Sequence, residues 1–99
     1  MENYESHLKE LEETIHALNR LRDSAFAQYS AMVDSVLKDE LTDQRQLEKI
    51  MDSLLDFCDE ERFLQIYKKL CRHIFYRYPQ MVGEHVALFR AQFEDASED

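Results

Sequence analysis

The chain of 99 residues contains one glycine, Gly83, and one proline, Pro79. A β-rich domain of this size reverses direction often, and its tight turns draw on those two residue types. Their scarcity leaves few connections, so the elements between must be long helices. Cysteine is nearly as scarce. Cys58 and Cys71 do not make a disulfide framework, and they read as small apolar side chains of a core. No apolar run approaches the roughly 18 residues of a membrane span. The opening segment Met1-Glu2-Asn3-Tyr4-Glu5 is acidic and lacks an apolar centre, so no signal peptide is expected. The expected compartment is the cytoplasm.

What is present is a mixture of 44% hydrophobic and 33% charged residues. That is the composition of a folded chain, and the length suits a single domain over 1–99. The apolar period is helical throughout. Tyr4, Leu8, Leu11, Ile15, Leu18, Arg22, Ala25, Tyr29, Met32 and Val36 follow one another at spacings of four and three. This is a heptad seam broken only by Arg22. With Asn3 as N-cap, it predicts one helix over 4–38, roughly 50 Å long at about 1.5 Å per residue.

The seam changes width. Through Leu18 it is narrow and flanked by Glu5, His7, Glu12 and Thr14. From Leu21 onward it broadens as Leu21, Phe26, Val33 and Leu37 join. A narrow stripe suits one partner helix, and a broad one suits a bundle core. Residues 1–20 therefore read as a projecting coiled-coil segment. Tyr4, Leu8, Leu11, Ile15 and Leu18 are its self-association residues, and a homodimer is expected.

Three shorter helices follow. Asp43 with Gln46 resembles a capping box and opens a helix over 43–57, which buries Leu47, Ile50, Met51, Leu54, Leu55 and Phe57. Asp59-Glu60-Glu61 resembles an N-cap with an acidic first turn. It opens a helix over 60–77 that buries Phe63, Leu64, Tyr67, Leu70, Cys71, Ile74 and Phe75. With no glycine or proline between these two, they read equally well as one kinked helix. Pro79 fits the first turn of a helix over 79–94 that presents Met81, Val82, Val86, Phe89 and Phe93. Residues 95–99 read as a frayed tail. The expected fold is all-α: an elongated bundle whose long helix packs antiparallel against two or three shorter ones.

Few residue patterns in the chain carry chemistry. Glu13-Thr14-Ile15-His16 has the Glu-x-x-His spacing of di-metal carboxylate bundles, but those need two such motifs and two more glutamates. Here Ile15 holds the seam, which leaves Glu13 and His16 outside. Cys71-Arg72-His73 lacks a second ligand pair at zinc-finger spacing. No third group is placed to orient a Cys–His pair, and one glycine cannot make a phosphate loop. No cofactor, metal or catalytic residue is expected, and the chain reads as a non-enzyme.

Charge is the feature that stands out. Residues 1–61 hold sixteen acids and six bases, and residues 84–99 hold five acids and one base. Residues 62–83 hold no acid and five bases: Arg62, Lys68, Lys69, Arg72 and Arg77. Lys69, Arg72, His73 and Tyr76 stand three or four apart and so share a helix face. Three readings stay open for this row. It pairs with acidic faces of the long helix, it docks an acidic protein, or it contacts nucleic-acid phosphates through Lys68, Lys69, Arg72, His73 and Arg77. The net charge of −9 opposes the last through long-range repulsion. The acid-rich first part also admits a DNA-mimicking surface.

The stretch Met51-Asp52-Ser53-Leu54-Leu55-Asp56-Phe57-Cys58, then Glu61-Arg62-Phe63-Leu64 and Leu70-Cys71-Arg72-His73-Ile74-Phe75-Tyr76-Arg77-Tyr78-Pro79-Gln80, resembles a set of small uncharacterised proteins of anaerobic Firmicutes. Some of these are carried on mobile elements. The resemblance spans most of the chain. It implies a bacterial, intracellular origin and, by association alone, a protein-binding role. It carries over no site residue. The expected function is a protein-interaction or regulatory module that self-associates through its first helix, with a nucleic-acid-binding regulator as the alternative.

Overall fold

The computed structural model describes residues 2–93. Four helices follow in order, α1 (Glu2–Leu37), α2 (Gln44–Leu55), α3 (Glu61–Ile74) and α4 (Pro79–Phe93), and no strand occurs among the described residues. The tail expected to fray at 95–99 lies outside them, as does residue 94 of the expected last helix.

Each boundary has a local cause. Nothing between Glu2 and Leu37 breaks a helix, because the stretch has no glycine or proline. It stops where Asp39 takes φ 60. The Glu40 N–H then reaches back to Ser35 O at 2.9 Å and the Asp39 N–H to Val36 O at 2.9 Å. This is the Schellman closure, with aspartate where glycine is usual. Asp43 caps α2 by accepting the Gln46 N–H at 3.2 Å.

α2 and α3 are two helices rather than one kinked helix. Phe57, Cys58 and Glu60 N–H groups bond to the carbonyls of Leu54, Leu55 and Phe57 in successive tight turns, and Glu60 is extended at φ −104. Glu60 occupies the N-cap position of α3 without a side-chain cap bond. α3 ends at Ile74, earlier than the expected 77. The N–H groups of Arg77 and Tyr78 both turn back to Ile74 O, at 3.1 and 2.9 Å, and Pro79 opens α4. Phe75 therefore sits past the helix end. It is exposed rather than buried, resting edge-on against Tyr76.

The contacts fix directions. Phe57 at the end of α2 reaches Tyr29 and Arg22, so α2 runs antiparallel to α1. Arg62 meets Asp23 at the start of α3 and His73 meets Asp39 at its end. α3 is thus parallel to α1, a correction to the all-antiparallel expectation. It follows from a short α2 that carries the chain back before α3 begins. α4 starts with Tyr78 Oη donating to Thr42 O at 2.9 Å, and it places His85 against Asp52 and Phe89 against Tyr67. It packs on α2 and α3 and not on α1. The middle layer is α2 and α3, with α1 on one side and α4 on the other.

Val33, Val36, Leu47, Met51, Leu54, Phe63 and Leu70 are the most buried large side chains. All of them join the second half of α1 to the α2–α3 layer or lie within it. The first half of α1 projects. The radius of gyration is 17.4 Å and the long axis 60 Å, against about 13 Å for a compact domain of this length.

Two seam expectations fail for one geometric reason. A straight helix drifts about 20° per heptad from a strict seven-residue repeat. The buried stripe of α1 holds its direction by moving from Ala25 to Phe26 and from Met32 to Val33. Met32 is left exposed and Val33 is buried. Leu21 lies on the flank, roughly 100° from Arg22 at 3.6 residues per turn, and it too is exposed.

Candidate functional site

The described residues offer two surfaces and one buried polar cluster. The first surface is the free seam of α1. Tyr4, Leu8, Leu11, Ile15 and Leu18 are between 42% and 68% exposed, so each leaves much of its apolar area in water. None of them joins the hydrophobic core. At about 100° per residue they share a direction, within roughly 20°, with the buried stripe Phe26, Tyr29, Val33 and Val36. One face of one helix is therefore covered over its second half and bare over its first.

Arg22 marks the change. Its Nη1 donates to Glu60 Oε2 at 3.0 Å, Asp59 lies 3.8 Å from Nη2, and its guanidinium sits 5.6 Å from the Phe57 ring centroid. Arg62 mirrors it across the turn, pairing with Asp23 at 2.8 Å and with Glu60, while stacking 4.9 Å from Phe26. Below them Phe57 and Phe63 stack at 4.6 Å, with Phe26 edge-on to Phe63 at 5.3 Å. Two arginines thus roof an aromatic stack at the top of the core. In the sequence Arg22 shows only as a break in the seam. A cation at a seam position, with the Asp59-Glu60-Glu61 cluster further along the chain, was the available signal.

The second surface is the basic row. Lys68, Lys69, Arg72, His73, Tyr76 and Arg77 are all exposed, and Tyr76 is 90% so. The fold brings Lys69, Arg72, His73 and Tyr76 together around a shallow groove that Leu37 floors. His73 Nε2 lies 2.8 Å from Asp39 Oδ1. Arg62 belongs to the roof described above, and only these two of the basic segment meet acids of α1 and its C-terminal turn. Lys68, Lys69, Arg72 and Arg77 have no carboxylate within ion-pair distance among the described residues. The expectation of internal pairing therefore holds for two side chains and leaves four bases to solvent.

The buried cluster joins α2, α3 and α4. His85 is only 4% exposed and sits with Nε2 3.1 Å from Asp52 Oδ1. Its Nδ1 has no hydrogen-bond partner. Tyr67 Oη donates to His85 O at 3.4 Å. His85 was not expected in the core, although its place four residues after Met81 and four before Phe89 puts it on the apolar stripe. Cys58 and Cys71 are free thiols. Burial, with Cys71 and Asp59 adding repulsion, pushes Cys58 up to about 12. Burial pushes Cys71 up to about 11, opposed in part by its bond with Tyr67. Both stay protonated at neutral pH, and a thiol that holds its proton is a poor nucleophile. Glu13 and His16 both lie on the outer face of α1. No group of three or more metal-ligating side chains occurs among the described residues, and no helix there is long and apolar enough to cross a membrane.

The sequence matches no family model, and no curated protein or solved structure matches it.

Proposed function

We propose that this protein is a non-enzymatic interaction module that self-associates through the first half of α1. The observation that supports this most is the bare seam Tyr4–Leu18, which shares one direction with the face that α2 and α3 cover. Among the described residues nothing packs on this regularly spaced apolar stripe. Ten half-exposed side chains, five from each copy, gain roughly 1 kcal/mol apiece on burial. Association costs about 4–15 kcal/mol against that. At the low end of that cost about 6 kcal/mol remains, so a weak, dilution-sensitive dimer with a dissociation constant of roughly tens of micromolar is the expected result.

Sedimentation velocity over a concentration series tests this directly. A monomer throughout, at roughly tens of micromolar and above, overturns it. Replacing Leu11→Asp together with Leu18→Asp dissociates the dimer while the far-ultraviolet signal of α2–α4 persists.

The basic row favours a second contact on the same molecule. Four exposed bases, none with a carboxylate in ion-pair range among the described residues, form a surface for an acidic protein. The alternative is nucleic acid, and gel retardation of duplex and single strands across a salt series separates the two. Retardation that fades with salt supports phosphate contact. No retardation at low salt removes it.

A further inference from the structure

We infer that the occupant of the bare seam is a second copy of this chain lying antiparallel, with Tyr4 of one copy opposite Arg22 of the other. This rests on the self-association proposed above and adds its direction and register. Three observations carry it.

The first is steric. The bare seam and the buried stripe share one direction on α1. A helix packed on that seam lies about 8–10 Å from the α1 axis, where α2 and α3 lie further along. A parallel partner would carry its own α1 past Arg22 for roughly 20 Å more at about 1.5 Å per residue, into the space α2 and α3 fill. It cannot swerve, because Glu2–Leu37 has no glycine or proline and sharp kinks need such a break. An antiparallel partner approaches with its N-terminus and ends where the domain begins.

The second is length. The antiparallel register that sets residue 4 against 22 uses the whole free seam and enters neither domain. It layers Leu8 on Leu18 and Leu11 on Ile15, each twice about the two-fold axis. Shifting by one heptad in one direction drives Tyr4 beside Tyr29, which the aromatic layer already occupies. Shifting in the other direction sets Leu8 on Leu11 and moves Leu18 opposite residue 1, beyond the described helix.

The third is self-complementarity. A two-fold pair needs one patch that matches itself. Leucine and isoleucine at both seam positions do so, and Tyr4 meets the exposed side of an Arg22 already held by Glu60. Charge argues weakly the other way. In this register Glu12 faces Glu12 of the second copy, whereas a parallel pair would set His7 near Glu12. Exposed charge pairs change affinity only a few-fold and are screened by salt. They do not outweigh overlapping helices.

Cysteine pairing reads the direction. Leu8→Cys and Leu18→Cys chains, distinguished by mass, are oxidised separately and mixed, after sedimentation has established the state of each. Covalent dimers of the mixed pair, in roughly tenfold excess over either chain alone, are expected, since a disulfide forms only between closely apposed Cβ atoms. Cross-linking of each chain with itself overturns the direction while leaving self-association standing. A dimer by sedimentation that cross-links in none of the three overturns the register. A parent chain that is monomeric overturns both proposals together. The unsubstituted chain, with its two retained thiols, measures the background.

Discussion

Arg22 and Glu60 meet at 3.0 Å across the point where α1 stops being bare and begins to be covered. The pair is part-exposed, so its charge attraction contributes about 0–1 kcal/mol. Its contact with Phe57 adds roughly 0.5–1 kcal/mol. Arg22→Ala should therefore lower the unfolding free energy by about 1 kcal/mol in urea titration. Arg22→Leu restores the seam and should extend the sticky face. It is expected to raise the weight-average mass at fixed concentration even as the monomer loses stability.

The aromatic stack beneath is far less forgiving. Phe63 is fully buried between Phe26 and Phe57. Phe63→Ala is expected to cost about 3–5 kcal/mol, much of the roughly 5–15 kcal/mol of a whole domain. Loss of a cooperative thermal transition, with helical signal retained in the projecting part of α1, is the expected outcome. An unchanged midpoint would show that the stack bears no weight.

His85 should behave in the opposite sense. An unsatisfied buried nitrogen costs about 1–3 kcal/mol, and removing a polar pair in favour of an apolar group is often neutral or better. Nδ1 is such an atom, so His85→Leu is expected to leave stability unchanged or raise it. A large loss would mean that the Asp52 contact and the Tyr67 bond to His85 O depend on the imidazole.

Alkaline pH supplies a further check. A free thiol titrates near 9.0, and burial in the fold raises this to about 12 for Cys58 and about 11 for Cys71. Below pH 9 both states keep the proton, and the contribution is complete. As pH rises beyond that, the unfolded chain ionises while the folded one resists, so stability falls until the folded thiols titrate. Tyr67, also raised by burial, extends the loss to still higher pH. Urea titrations should give a flat profile from pH 7 to 8.5 and a decline between about pH 9 and 11, shallower in Cys58→Ala. Thiol reagents should react slowly with the native chain and fully with the unfolded one.

Glu12 tests the dimer from the side of charge. In the antiparallel register Glu12→Gln removes a repulsion, so the dissociation constant should drop a few-fold and its dependence on salt should weaken. In a parallel pair no carboxylate stands opposite Glu12, and the same change should leave the dissociation constant nearly unchanged.

Most of the architecture was legible because helical periodicity is a local property. The apolar spacing marked four helices, and Asp43, Pro79 and the scarcity of turn residues placed their ends. The failures were tertiary. Met32 and Leu21 were misplaced because a heptad was followed as though it did not drift around a straight helix. Phe75 was misplaced because the closing turn on Ile74 depends on backbone bonds that no side-chain pattern announces. Buried His85 was hidden by its polarity, though its spacing was right. The bare seam was readable from its narrowness, whereas its direction came only from seeing that α2 and α3 lie on the same face. The basic row was visible as a run without acids. Which of its members are paired depended on Asp23 and Asp39, brought close only by the parallel course of α3.

The uninterrupted course of α1 from Glu2 to Leu37 also sets a reach. The bare seam and the basic row lie at opposite ends of the molecule, so occupying one leaves the other accessible. In an antiparallel pair the two basic rows would point away from each other, roughly 70 Å apart at 1.5 Å per residue. A short acidic peptide could grip only one of them. An extended acidic ligand that spans both would bind with avidity, and one that falls short of the span would gain nothing from the second row.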